Sequence, residues 1–245
     1  MHLSGVAAET PHKTAVVFGD TRISYGALDA ASRRIAVSSR HSGLSRGDVM
    51  GVMMTTGPEV VAAIAAAQRS GLYCLPLGPK LTPSELQYIL KDSGAKLLVT
   101  DRGNEEKVSA AAVDIPDLTV SSIAGLDHLF ELEECPNDPD PVEGGEILYT
   151  SGTTGLPKGV RRPLRFKPIG SDLERAQRLR NLFSMDADTV FFSPAPLHHA
   201  APLRFSMDLL RLGGTLVLNA HFDAKAALRL LERERVTHSQ WVPTM

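Results

Sequence analysis

Short apolar runs alternate with amphipathic helical periods along nearly the whole chain, and this rhythm limits the fold more than any other feature. TAVVF at 14–18 reads as a strand, with Gly19-Asp20 as a hairpin turn into TRIS. From 25 to 39 the apolar positions Leu28, Ala31, Ile35 and Ala36 share one helical face, with Ser24 as N-cap and Gly43 as terminator. VMGVMM at 49–54 is a short buried strand. PEVVAAIAAAQRSG follows it, with Pro58 near the first helical position and Gly71 at the stop. A strand at 72–77, a capping box Thr82-Pro83-Ser84-Glu85 opening a helix to Ser93, and a strand KLLVT at 96–100 continue the pattern. Strands separated by helices return to one sheet by crossovers, so the spacing predicts an α/β fold with largely parallel sheets flanked by helices.

The stretch 103–128 is weaker, predicting a helix and then a strand near 118–120. ECPNDPDPVEGGE at 134–146 is rich in Pro, Asp and Gly and predicts a surface linker at 134–145, dividing a first lobe, 1–133, from a second, 146–245. The second lobe reads as strand EILYT, a glycine-rich loop, a helix near 172–183, strand TVFFS and a helix near 202–212 stopped by Gly213-Gly214. Strand TLVLN, helix DAKAALRLLERER and strand VTHSQWV complete it.

Composition excludes several classes. Of 245 residues, 43% are hydrophobic and 22% charged, which rules out wholesale disorder. A net charge of −2 and a pI near 6.4 give no electrostatic case for a nucleic-acid partner. Cys74 and Cys135 are too few for a disulfide framework or a cysteine-rich zinc site, and no metal ligands are assigned. No apolar run approaches a membrane span, and MHLSGVAAETPHKTAVVF lacks an apolar leader core, so a cytoplasmic location is expected.

The segment ILYTSGTTGLPKGV at 147–160 carries the chemistry. An apolar strand runs into a loop where the hydroxyls of Thr150, Ser151, Thr153 and Thr154 interleave with Gly152 and Gly155. Glycines let backbone N–H groups approach an anion closely, and Lys158 adds a mobile point charge suited to polyphosphate. A nucleoside triphosphate is the natural ligand class. The loop is not a Walker A motif, because Pro157 stands where that pattern needs glycine. The plainer alternative is a Ser/Thr/Gly surface turn with a chance lysine.

YTSGTTGLPKGV closely resembles the phosphate loop of the adenylate-forming superfamily of acyl- and aryl-CoA synthetases, peptide-synthetase adenylation domains and luciferases. The resemblance extends to SYGALDAASRRIA, to RSGLYCLPLGPKLTPSELQYILKDSGAKLLVT and to PAPLHHAAPLRFSMDLLRLGGTLVL. VTHSQWVPTM is similar to a segment of bacterial fatty-acyl-CoA synthetases. What this implies is a two-step ligase using ATP, Mg²⁺ and coenzyme A on a fatty or other carboxylic acid. A fatty-acyl-AMP ligase or an aryl-CoA synthetase, and a non-catalytic nucleotide or acyl binding module, are the alternatives. By matching position, Ser151, Gly152, Thr153, Thr154, Gly155 and Lys158 would hold the β- and γ-phosphates.

In PLHHAAPL the resemblance sets the family histidine at His199, where carboxylate, α-phosphate and thiol path meet. His198 then occupies a position usually held by Tyr or Phe. Packing at a strand-to-helix turn is the alternative for either ring. His198, Ala200 and Trp241 are candidate lining of the acyl pocket, whereas Phe205 and Met207, at helical spacing, fit core better. The run Lys158, Arg161, Arg162, Arg165, Lys167 reads as a solvated face beside a phosphate site, with an anionic membrane surface or coenzyme A phosphates as alternatives. The family's Tyr-Gly-x-Thr-Glu and Ser-Thr-Gly-Asp segments and its small C-terminal domain have no counterpart here. The expectation is therefore an N-terminal portion of the large domain, inactive alone and prone to pair through the cut surface.

Overall fold

In the computed structural model residues 2–123, 129–130, 141–150, 156–171 and 173–245 are described, with 173, 175 and 176 in backbone only. The elements run α1 (Leu3–Glu9), β1 (Thr14–Phe18), β2 (Thr21–Ser24), α2 (Tyr25–His41), β3 (Val49–Met53), α3 (Pro58–Arg69), β4 (Tyr73–Pro76), α4 (Pro83–Ser93), β5 (Ala95–Thr100), a 3-10 turn (Arg102–Asn104), α5 (Glu105–Ala112) and β6 (Thr119–Ser122). They continue with β7 (Gly145–Thr150), β8 (Lys158–Arg161), α6 (Leu173–Phe183), β9 (Val190–Ser193), α7 (Ala200–Leu212), β10 (Thr215–Leu218), α8 (Ala224–Arg233) and β11 (His238–Ser239).

Local chemistry sets the helix ends. Ser24 Oγ accepts from the Ala27 N–H at the start of α2, and Thr82 and Glu85 form the reciprocal capping box of α4. Gly19 turns the first hairpin at φ +60°, where an L side chain would be strained. The helix α1 has no counterpart in the sequence reading, since seven residues carry too little periodicity to show.

Among the described residues eleven strands form two sheets. One has the order β11-β9-β10-β1-β2, the other β6-β5-β3-β4-β7-β8. Among the described residues all pairings between these strands are parallel except the hairpins β1–β2 and β7–β8. The α/β architecture with mostly parallel strands and flanking helices is as expected. Helices α1, α2, α3 and α7 share one large core with the inner faces of both sheets, through residues such as Leu28, Ile64, Val16 and Leu210.

The expected lobes, on either side of the segment 134–145, share their sheets. β1 pairs with β10, and β4 pairs with β7, so each sheet draws strands from both sides of that segment. Residues 134–140 lie outside those described; of the rest, Pro141 is exposed, Val142 is buried and 143–145 are half-buried. Val142 is 7% exposed and its N–H donates to the Arg69 carbonyl, while the Gly144 N–H donates to Gln68. Gly144 serves a close approach of backbones, a use composition cannot separate from solvent exposure.

Candidate active site

The carboxyl ends of three strands converge. β4 runs on through Leu77-Gly78-Pro79-Lys80, β7 ends at Thr150, and β9 leads through 194–197 to His198 and His199. In the β4–β7 ladder Tyr73 stands opposite Gly145 and Cys74 opposite Glu146, so the two strands run in parallel toward that end. Crevices beyond the carboxyl ends of parallel strands are where α/β folds place ligands.

β7 and β8 form an antiparallel ribbon in which Thr150 is paired with Lys158. Both are exposed, so a hydroxyl and an ammonium flank the stems of the connecting loop. Ser151, Gly152, Thr153, Thr154 and Gly155 lie outside the described residues. The sequence reading missed β8, because KGVR has no apolar run and all four residues are exposed. The ribbon docks on α4. The Tyr149 hydroxyl donates to Asp92 at 2.5 Å, the Tyr88 hydroxyl donates to the Pro157 carbonyl at 3.2 Å, and the Tyr149 ring lies across Gly159. Burial first, then the Asp92 hydrogen bond, push the Tyr149 phenol above its usual range, so it is a donor at neutral pH.

His199 is the N-cap residue of α7, with extended backbone and no capping hydrogen bond from its ring. The ring is exposed and stands 4.3 Å from that of His198, centroid to centroid. His198 rests on Gly78: a Cβ there would lie 3.1 Å from its Cδ2 and Nε2. Burial first, then the charges of His199 and Lys80, push His198 down to about 4. Gly78 and Lys80 had no role in the sequence reading, and only the packing of His198 brings them out.

This has a measurable consequence. Below pH about 6.5 the unfolded chain takes up a proton that folded His198 refuses until pH about 4, so stability falls as pH drops through that window. Imidazole NMR should show a histidine titrating near 4, and His198→Phe should flatten the loss of Tm between pH 7 and pH 5. A His198 midpoint near 6.5 would refute the packing argument.

Ala200 opens α7 and packs against the main core. Phe205 and Met207 belong to core: Phe205 stacks on Phe191 at 6.0 Å, and Met207 is 4% exposed. Trp241 is not brought to His198 and Ala200. It meets Phe192 and Phe222 edge-on, at 5.7 and 5.9 Å. Phe191 and Phe192 are successive on β9 and point to opposite faces, so the sheet separates Trp241 from α7. Of the basic run, the Arg161 guanidinium lies 4.1 Å above the Tyr73 ring, while Arg162 and Arg165 are exposed. Cys74 is buried, and burial pushes its thiol up; Cys135 lies outside the described residues.

Ion pairs tie α7 to the entry of the ribbon. Arg204 pairs with Glu146 at 2.5 Å, and Arg211 is bidentate on Glu143, at 2.8 and 2.9 Å. Among the described residues no three His, Cys, Asp or Glu side chains cluster as a metal site. Nor is any helix among them long and apolar enough to cross a membrane.

The fold is thus an α/β one, with a hydroxyl and a lysine paired on the β7–β8 ribbon and a histidine pair at the head of α7. The chain belongs to the AMP-binding enzyme family, whose model matches residues 3–245. It is 31% identical over 243 residues to the 2-succinylbenzoate–CoA ligase of Bacillus licheniformis, covering 96% of this chain and 48% of that protein. It is also 31% identical over 248 residues to the feruloyl-CoA synthase of an Amycolatopsis species, covering 98% of this chain and 47% of the relative. The chain thus spans about half the length of these relatives.

Among solved structures, the inhibitor-bound N-terminal domain of FACL13 from Mycobacterium tuberculosis is similar with a TM-score of 0.84 at 24% identity, over 99% of this chain and 62% of that one. The Bacillus subtilis O-succinylbenzoate coenzyme A synthetase in complex with AMP gives a TM-score of 0.76 at 26% identity, over 99% and 48%.

Proposed function

We propose that this chain supplies the polyphosphate-holding part of an ATP-dependent acid–thiol ligase acting on a fatty acid. In the first step a carboxylate oxygen attacks the α-phosphorus of ATP and the α–β anhydride bond breaks, giving acyl-adenylate and pyrophosphate. In the second, the thiol of coenzyme A loses its proton and attacks the acyl carbonyl. The bond to AMP breaks and the thioester remains. The observation that carries the reading is Thr150 opposite Lys158 at the foot of the loop.

Thr150 and Lys158, with 151–155 between them, hold the β- and γ-phosphates and offset charge on the departing pyrophosphate. Preorganised donors matter most there because the charge develops in the reaction itself. Mg²⁺, when bound with ATP, neutralises phosphate charge and orients the leaving group. His199, exposed at the head of α7, donates a hydrogen bond to the reacting carboxylate or to the α-phosphate, and His198 stays neutral beside it.

The fatty-acid assignment is supported by VTHSQWVPTM, which is similar to a segment of fatty-acyl-CoA synthetases. The two relatives above act by name on aromatic acids, which favours an aryl substrate as the second reading.

Lys158→Ala removes one charged contact to phosphate and should weaken ATP binding about 10- to 100-fold by calorimetry. Equal affinity in variant and wild type would overturn the loop assignment. Carboxylate-dependent exchange of labelled pyrophosphate into ATP, run on the complete gene product with fatty and aryl acids, decides the acid class. Exchange with aryl acids alone removes the fatty-acid reading, and exchange with neither removes the ligase.

A further inference from the structure

The strand β8 lies at the edge of its sheet with all four residues exposed, so burial does not hold it. Two neighbouring elements do. On α4, Tyr88 and Asp92 are one turn apart and face the ribbon together. Tyr88 takes the Pro157 carbonyl, the last one before β8, and Asp92 takes the Tyr149 hydroxyl from β7. Gly159 is needed in that arrangement: a Cβ there would come within 2.9 Å of Tyr149 Cζ. At the far end, Tyr73 of β4 donates to the Arg162 carbonyl at 2.7 Å, and its ring lies under the Arg161 guanidinium. Arg161 in turn donates to the Gly47 carbonyl at 3.1 Å.

We infer that Tyr73, Tyr88 and Tyr149 are positioning residues, which clamp the exposed ribbon at both ends and thereby fix where its loop stands. Two consequences follow from the chemistry. The glycine of LPKG is required by the clamp for the ring it must admit, while the Pro157 carbonyl, which any residue could supply, takes the Tyr88 hydroxyl. The clamp fixes both stems of the connection, so a ligand binding between them meets a preset ribbon on either side of the six residues 151–156. The consequence for ATP rests on the phosphate reading above; the clamp does not.

Tyr88→Phe tests it, because only the hydroxyl on Pro157 is lost while ring packing is retained. Amide hydrogen exchange across 151–159 should quicken about fivefold, with exchange in β3 and β5 quickened less and the Tm lowered by no more than about 2–4 °C, as expected for one neutral hydrogen bond. Affinity for ATP, the probe used, should fall about three- to tenfold. Exchange unchanged across 151–159, or quickened equally throughout the molecule, would overturn the clamp. Wild-type chain whose 151–159 exchange is not slowed by ATP would instead remove the phosphate reading, with the Tyr88→Phe comparison still deciding the clamp.

Discussion

Asp29→Ala should lower the stability of the folded chain by about 3–5 kcal/mol, the cost of removing one partner from a buried ion pair. Arg69 is 2% exposed, in the core between α1, α2 and α3. Its Nη1 donates to Asp29 Oδ1 at 2.8 Å and to Ser32 Oγ at 2.6 Å, and its Nη2 to Ser4 Oγ at 2.9 Å. Asp29 also accepts from Ser4 Oγ at 2.9 Å and from Arg33 Nε at 2.8 Å. Alanine strips this carboxylate from two guanidinium groups and a hydroxyl, in surroundings where water does not replace it.

The contrast is with Arg22 and Glu234, paired at 2.8 Å with Arg22 55% exposed, where Arg22→Ala should cost under about 1 kcal/mol. Urea unfolding of both variants checks the pair of values. An Asp29→Ala loss no larger than that of Arg22→Ala would mean the core rearranges to solvate Arg69.

Gly144→Ala should cost about 2–3 kcal/mol, the upper part of the range for overpacking. Its Cβ would lie 2.4 Å from the Leu72 carbonyl oxygen, 2.7 Å from that of Ala67 and 3.1 Å from that of Gln68. All three are backbone atoms at the end of α3 and the entry to β4, and none can swing aside as a side chain would. β7 begins at the next residue, so the strain falls on the strand that carries Thr150. The variant should therefore lose affinity for ATP as well as stability. Gly103→Ala is the control: its nearest neighbour, Asp101 Oδ1, is 3.5 Å away, an ordinary contact. Thermal melts of the two variants against wild type separate them, and equal Tm values would show that the α3–β4 turn yields to the extra methyl group.

The two variants probe what the sequence shows unequally. Asp29 sits on α2, whose apolar face and Ser24 cap were legible, but nothing local announces that it pairs with an arginine 40 positions away. Gly144 was legible only as composition, within a stretch that reads as linker. The histidine pair was found from its motif, yet His198 rests on Gly78, far off in sequence and just beyond the end of β4. Trp241 was assigned to a pocket with His198 and Ala200, and the alternation of Phe191 and Phe192 on β9 sets it on the other face. Whether a strand's residue faces one layer or the other depends on what packs there, and no helix was yet in place to decide it.

By itself the sequence determined the α/β alternation, the helix caps and the family to which the loop belongs, because periodicity, capping and turn chemistry act over a few neighbouring residues. The tertiary structure decided how the strands are shared between two sheets, that Val142 is buried and Gly144 packs on the α3–β4 turn, that β8 exists as an exposed edge, and which partners hold the loop's stems. Those features arise from contacts between residues distant along the chain. Their free energy comes from burial and from hydrogen bonds made only when both partners are in place, and no local pattern records them.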